Sequence, residues 1–267
     1  MSLPLFFSNI KNNRTIWLIM LVVYSFYFTI IISMFDPEGM EAWDEMLGMM
    51  PEGFLQALGW DMMGTTLTGL IGTGLYGFLV YLFPMVVSIV VNHRLLATHI
   101  DKGSMAYLLS TPNSRKTVAV TQAVYSLASI ALFFTLVTGM GIGVSQAMFP
   151  GELEIGTFVI LNLYVIVNYF AIGGIGFLAS SIAHESKHSL GIGVGVPIGF
   201  LVLQMLGNSN PDYSWIGNLS MFALFDPEKL IDGNTGFVGL SMAALLVIAA
   251  LLYTAGITWF NRRDLHI

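Results

Sequence analysis

The sequence predicts an all-α polytopic membrane protein with six transmembrane helices, an N-terminal interfacial helix and both termini in the cytoplasm. Of its 267 residues, 55% are hydrophobic and only 10% are charged, whereas soluble domains carry about 25% charged residues. Apolar runs long enough to cross a hydrocarbon core of about 30 Å recur along the chain, which is therefore expected to form a single transmembrane domain over residues 1–267. The predicted spans are 15–34, 67–91, 119–144, 155–182, 189–205 and 237–260.

The segment 1–14 precedes the first span and is expected to form the interfacial helix. Leu3, Phe6, Phe7 and Ile10 are spaced as one face of a helix, and such a face suits a helix that lies in the membrane interface. A frayed start of the first span is the alternative. The first span is too long for the apolar region of a signal peptide, and no small-residue cleavage site follows it. It is therefore expected to stay in the membrane as an anchor.

The orientation follows from the distribution of basic residues. Of the ten Lys and Arg, Lys229 alone lies outside the two termini, the loop 92–118 and the loop that contains Lys187. The positive-inside rule then places both termini and the loop 92–118 in the cytoplasm, and 35–66 and 206–236 become outer loops. The formal net charge of −6 is the sum of two opposite faces, so it does not indicate a nucleic-acid partner. Membrane lipids are the expected surroundings.

The tetrapeptide FDPE occurs twice in the outer loops, at 35–38 and 225–228. In each copy, Asp suits the N-cap of a helix, Pro its first turn, and Glu the positive end of the helix dipole. An apolar residue, Met40 or Leu230, follows at the spacing of a hydrophobic staple with the Phe. The carboxylates lack the alternating oxygen ligands of a calcium loop. Both copies are therefore predicted to start short helices.

Small residues recur at four-residue spacing inside several predicted spans. In lipid, such ridges let helix backbones approach closely. They would form either a dimer or gating interface or ordinary packing within the chain, and the sequence favours neither. The ladders are Thr65, Gly69, Thr73 and Gly77; Gly139 and Gly143; and Gly191, Gly195 and Gly199.

The predicted spans contain no Asp, Glu, Lys, Arg or His, so they lack the ionisable residues that proton relays and ion-coupled carriers keep in the membrane. The chain also has no cysteine, which excludes disulfide and thiol chemistry. The pentapeptide HESKH fits the zinc pattern H-E-x-x-H, in which His184 and His188 would be ligands and Glu185 the base. A membrane metalloprotease is therefore one alternative, and a membrane-anchored receptor or scaffold is another.

The loop 92–118 combines basic residues with an apolar face, which is typical of a folded segment that contacts a partner. Its order is an acidic residue, Gly-Ser, paired leucines and a P-N-S-R turn, at Asp101, Gly103, Ser104, Leu108, Leu109 and 112–115. In this order, and in its six spans, the sequence resembles the ABC-2 type permeases, the membrane subunits of many bacterial ABC exporters. Two positions differ from the family pattern: Lys102 replaces a frequent Glu, and Gln122 replaces a frequent Lys.

The resemblance implies a permease subunit of an ATP-driven exporter in the bacterial cell membrane, paired with a second permease subunit that is identical or related. ATP and Mg would be bound by separate ABC ATPase subunits, so this chain would hold no cofactor and no catalytic residue. Residues 103–110 would form a coupling helix whose apolar face suits the ATPase or the base of the bundle. The residues implied in this contact are Asp101, Lys102, Gly103, Ser104, Tyr107, Leu108, Leu109 and Arg115.

Overall fold

The computed structural model describes residues 1–36, 45, 48–58, 66–110 and 113–263, and no strand occurs in these ranges. Within them, six helices are long and apolar enough to cross a membrane. The predicted all-α class and the predicted number of spans are therefore confirmed. In chain order, the spans are Leu3–Ser33, Leu67–Leu95, Arg115–Met148, Ile155–Ile182, Ser186–Ser209 and Thr235–Arg262.

The bundle has two ends, which differ in charge. The terminal end carries the start of the first span, the end of the sixth span, residues 96–110 with 113–114, and the turn 183–185, and the opposite end carries the other described loops. Every Lys and Arg in the described part of the chain lies at or beside the terminal end, with the exception of Lys229. The shorter helices are Glu52–Leu58, Ala97–Asp101, Met105–Ser110, Pro211–Tyr213, Ser214–Gly217, Met221–Leu224 and Pro227–Ile231.

The first span includes the N-terminal segment. It has 31 residues, which correspond to about 46 Å at 1.5 Å per residue and exceed the hydrocarbon core of about 30 Å. Where a separate interfacial helix was predicted over 1–14, the structure has the first turns of one continuous helix. No helix breaker divides it, because Pro4 lies in the first turn, where its missing N–H is tolerated. Asn13 donates its side-chain amide to Asn9 O at 3.1 Å within the same helix.

Polar side chains attach the start of the first span to the third span. The backbone N–H of Ser2 donates to Thr121 Oγ1 at 2.8 Å, and Asn9 Nδ2 donates to Gln122 Oε1 at 2.5 Å. All four residues are buried. The apolar stripe predicted for this segment mostly faces away from the bundle. Its exposed members are Leu3, Phe7 and Ile10.

The fourth span, Ile155–Ile182, lies at the centre of the bundle. In its most apolar window 72% of the residues are buried, compared with 17% in the fifth span. Small residues let its neighbours approach. A Cβ atom on Gly173 would lie 2.8 Å from Ile130 Cδ1 of the third span, and one on Gly174 would lie 2.9 Å from Leu252 Cβ of the sixth.

The small-residue ladders lie in two different environments. Gly69 and Thr73 of the second span are buried within the chain, which explains that ladder by intrachain packing, although Thr65 lies outside the described residues. At the other ladder positions no described atom lies within 4 Å of where a Cβ would stand. These open positions are Gly139, Gly143, Gly191, Gly195 and Gly199.

The second span is not a uniform α-helix. Residues Ile71–Leu79 form a π-helix, and Pro84 lies in the α-helix that follows. Proline has no N–H, so the carbonyl four residues earlier, that of Val80, loses its helical partner. Tyr169 of the fourth span is buried and donates its hydroxyl to Val80 O. This bond replaces the donor that the proline removes, as the interior of a membrane requires.

The second FDPE copy starts a helix, as predicted. Asp226 is the N-cap of Pro227–Ile231, and its Oδ1 accepts from the backbone N–H of Lys229 at 3.2 Å. Phe225 and Leu230 are both buried in the same core cluster, which fits the predicted staple. In the first copy, Pro37, Glu38 and the helix predicted to follow them lie outside the described residues.

We expect Tyr169→Phe to lower the free energy of unfolding, because it leaves the Val80 carbonyl without a donor. The expected loss is about 1 kcal/mol, in the range of interhelical hydrogen bonds in membranes, and it is measured by unfolding the purified protein in mixed micelles. Pro84→Ala restores an N–H four residues after Val80. In that background, Tyr169→Phe should therefore lower the free energy of unfolding by less. An equal loss of unfolding free energy with and without Pro84→Ala would contradict the pairing of the Tyr169 hydroxyl with the Val80 carbonyl. Tyr27→Phe, on the first span, is the control for loss of a hydroxyl.

Candidate functional site

A break after the second span creates the candidate site at the terminal end. The backbone of Leu96 leaves helical geometry, with φ −129° and ψ −57°. The next N–H, that of Ala97, donates to Ser180 Oγ of the fourth span at 2.9 Å, so the chain turns against the end of that span. We call residues 97–110 the elbow; it comprises the helices Ala97–Asp101 and Met105–Ser110.

The turn inside the elbow is fixed by its backbone and by a local hydrogen bond. Gly103 has φ +68°, a conformation that glycine adopts more readily than other residues. Ser104 Oγ and His99 Nδ1 share a hydrogen bond of 2.9 Å. Partial burial, and then the charge of Lys102, lower the pKa of His99. The imidazole is therefore neutral at pH 7. The φ of Gly103 and the hydrogen bond of Ser104 show that these two predicted coupling residues occupy a defined turn.

The second helix of the elbow has a buried side and an exposed side. Met105 is fully buried, and Leu108 and Leu109 are half-buried against a cluster that includes Phe260 of the sixth span. Tyr107, in contrast, is 80% exposed. The leucines thus support the base of their own bundle, whereas the tyrosine lies on the surface. The other exposed members of the predicted coupling set are Asp101, Lys102 and Gly103.

Arg115, the remaining member of that set, bonds within the bundle. Its Nη1 donates to Arg263 O at 2.8 Å. Arg263 in turn donates to the carbonyl oxygens of Ser181 at 2.6 Å and Ala183 at 2.9 Å. These bonds join the start of the third span to the ends of the fourth and sixth spans. No sequence pattern predicts this role of Arg263, because backbone carbonyl acceptors leave no pattern in a sequence.

The HESKH motif lies in the turn between the fourth and fifth spans. The fifth span begins at Ser186, so His184 precedes the helix on which it would share a face with His188. Glu185 instead hydrogen bonds with Lys187 at 2.8 Å, which lowers the pKa of its carboxyl. In the described part of the chain, no three His, Cys, Asp or Glu side chains form a group that could hold a metal. The turn does not have the helical geometry of a zinc protease.

The elbow offers a contact surface. The elbow exposes an aromatic ring, that of Tyr107, and two charged side chains, those of Asp101 and Lys102, and Met105 anchors the helix that carries the ring. Tyrosine is enriched among the residues that dominate binding at protein interfaces. The arrangement is suited to docking another protein at the terminal end.

The chain matches a known protein family. The family described as ABC-2 family transporter protein matches residues 6–265, which include the elbow and nearly the whole of the six spans. No curated protein and no solved structure matches the chain. The chain therefore belongs to the ABC-2 family of transporter proteins and is a multi-pass membrane permease of an ABC transporter.

Proposed function

We propose that the chain is the permease subunit of an ATP-driven exporter in a bacterial cell membrane. Two six-helix subunits, identical or related, would form the translocation pathway, and separate ABC ATPase subunits would bind ATP and Mg in the cytoplasm. The ATPase would dock on the elbow. The observation that carries this proposal is the exposed Tyr107 on a short helix whose other side is anchored in the bundle.

The elbow is attached to several spans at once, which suits it to passing on a movement. Ala97 bonds to the fourth span, and Met105 packs in a cluster that contains Val118 of the third span and Phe260 of the sixth. A force applied at Tyr107 would therefore act on the base of the whole bundle. In this arrangement ATP hydrolysis belongs to the partner, and this chain contributes no catalytic residue.

The family match favours a permease over the two alternatives. The zinc protease lacks support in the geometry of the HESKH turn, where Ser186 starts the helix too late to include His184. A receptor or scaffold without transport differs from the proposed permease in having no ATPase partner. Binding of an ATPase therefore distinguishes these two functions.

The first test concerns orientation. The chain has no cysteine, so Lys102→Cys in the elbow and Asp212→Cys at the opposite end each introduce a single thiol. A membrane-impermeant maleimide added to intact cells should label Asp212→Cys, and it should label Lys102→Cys only after the membrane is permeabilised, because basic loops stay in the cytoplasm. The reverse pattern would place the elbow outside and exclude an ATPase there.

The second test concerns the docking residue. Tyr107→Asp should weaken binding of the ATPase about tenfold or more, since a charge replaces a central aromatic contact. Binding is measured by copurification with the candidate ATPase, which a neighbouring reading frame with G-x-x-x-x-G-K-[ST] would encode. Tyr213→Asp is the matched control, because Tyr213 is 51% exposed at the opposite end. Leu108→Asp is less informative, as it also disturbs packing in the bundle. Equal binding by the Tyr107 and Tyr213 variants would refute docking at the elbow.

The third test concerns the proposed dimer. Open space lies beside three glycines of the fifth span, Gly191, Gly195 and Gly199, and such a ridge suits close contact with a second permease subunit. Gly195→Leu should lower the dimer fraction at least about tenfold in dilution experiments in detergent, since its side chain would separate the backbones. Gly239→Leu on the sixth span, also at an open position, should leave the fraction unchanged. If neither variant changes the dimer fraction, the glycine face of the fifth span is excluded as the dimer interface.

A further inference from the structure

A polar cavity of about 280 Å³ lies at the opposite end of the bundle. Its walls are the π-helical part of the second span, the last turns of the fifth span, the helix Glu52–Leu58 and residues 222–228. A cavity of this size holds a small organic group as well as water. It lies at the end of the bundle opposite to the elbow, outside the surface proposed for the ATPase.

One buried hydrogen-bond acceptor in this cavity has no donor within the described ranges. Gln204 Oε1 is buried and has no hydrogen-bond partner in the part of the chain that the structure describes. The amide of the same side chain is already committed, because Gln204 Nε2 donates to Asn208 Oδ1 at 3.0 Å. The hydroxyl of Thr73 is also committed as a donor, to Gly69 O at 3.0 Å. A buried acceptor without a donor is costly, so the cavity favours a ligand that donates hydrogen bonds.

The charges and aromatic rings of the cavity favour a cationic donor. Asp226 and Glu228 line the cavity, and no Lys, Arg or His among the described residues lines it. Lys229 pairs with Asp226 at 3.0 Å without lining the cavity. The ring of Tyr81 stacks on Phe222 at a centroid distance of 4.2 Å in the wall. Carboxylates together with aromatic faces attract ammonium groups, and the aromatic wall also accepts an apolar substituent.

We propose that this cavity binds an ammonium group attached to an apolar chain or ring, so that cationic amphiphiles are the cargo class of the permease. The proposal rests on the proposed export function, in which the opposite end faces outward. The ammonium would donate to Gln204 Oε1 and lie near Glu228, and its apolar substituent would pack on Tyr81 and Phe222. An anionic molecule of the same shape would meet carboxylates and an unpaired carbonyl oxygen.

The test compares two probes of nearly equal shape, 4-phenylbutylammonium and 4-phenylbutyrate. Equilibrium dialysis against the full chain in phosphatidylcholine nanodiscs, corrected with empty nanodiscs, should show at least about tenfold tighter binding of the amine. Glu228→Gln should reduce amine affinity at least about fivefold. Glu152→Gln, the same charge change at the same end of the bundle outside the cavity, should leave affinity unchanged. Gln204→Leu should also weaken amine binding, and it decides the question if Glu228→Gln does not purify as a monodisperse protein.

Equal binding of the two probes, or an amine affinity that neither cavity variant changes, would overturn the proposal and leave a cavity that holds water only. These measurements need no ATPase. If the cavity does not bind the amine, the docking result at Tyr107 therefore still stands. If the chain binds no ATPase, the separate copurification experiment reveals it.

Discussion

A backbone carbonyl without a donor has no water to bind inside a membrane, and this constraint organises the protein. Pro84 creates such a carbonyl at Val80, and the hydroxyl of Tyr169 supplies the donor from another helix. The bond holds the second span in a defined position on the fourth. A second bond between the same helices, from Tyr76 OH to Asn162 Oδ1 at 2.7 Å, lies in the π-helical part. The irregular helix is thus stabilised by its neighbour along much of its length.

The fourth span extends this positioning to both ends of the bundle. At the opposite end, Tyr164 donates its hydroxyl to Leu224 O, beside the loop that forms one wall of the cavity. At the terminal end, Ser180 accepts from the N–H of Ala97, the first residue of the elbow. Hydrogen bonds from one central helix therefore place the cavity and the elbow relative to each other. The second span contributes residues to the wall of the cavity and leads, at its other end, into the elbow.

The features that the sequence predicts correctly are those with local or purely physical causes. Membrane thickness directly demands runs of about 20 apolar residues, so the six spans are visible in composition alone, and the N-cap at Asp226 needs only its own tetrapeptide. The hydrogen bond from Tyr169 to Val80, in contrast, depends on which helices are neighbours in the bundle, and the sequence does not show this. The continuous first helix depends in part on Gln122, a partner of Asn9 that is 113 residues away. The elbow was foreseeable as a segment, but the exposure of Tyr107 depends on how that short helix packs.

The fifth span is held much less tightly than the fourth, with 17% of its most apolar window buried. Two polar bonds between described residues join it to the rest of the bundle. His93 and Ser189 share a hydrogen bond of 3.1 Å at the terminal end, and Ser220 Oγ donates to Phe200 O at 2.8 Å nearer the cavity. Because the second and fifth spans both wall the cavity, its width depends on their spacing. The second span also leads into the elbow. If a change of this spacing also moves the elbow, a ligand that prefers one spacing biases the elbow, and a partner bound to the elbow biases the cavity to the same extent.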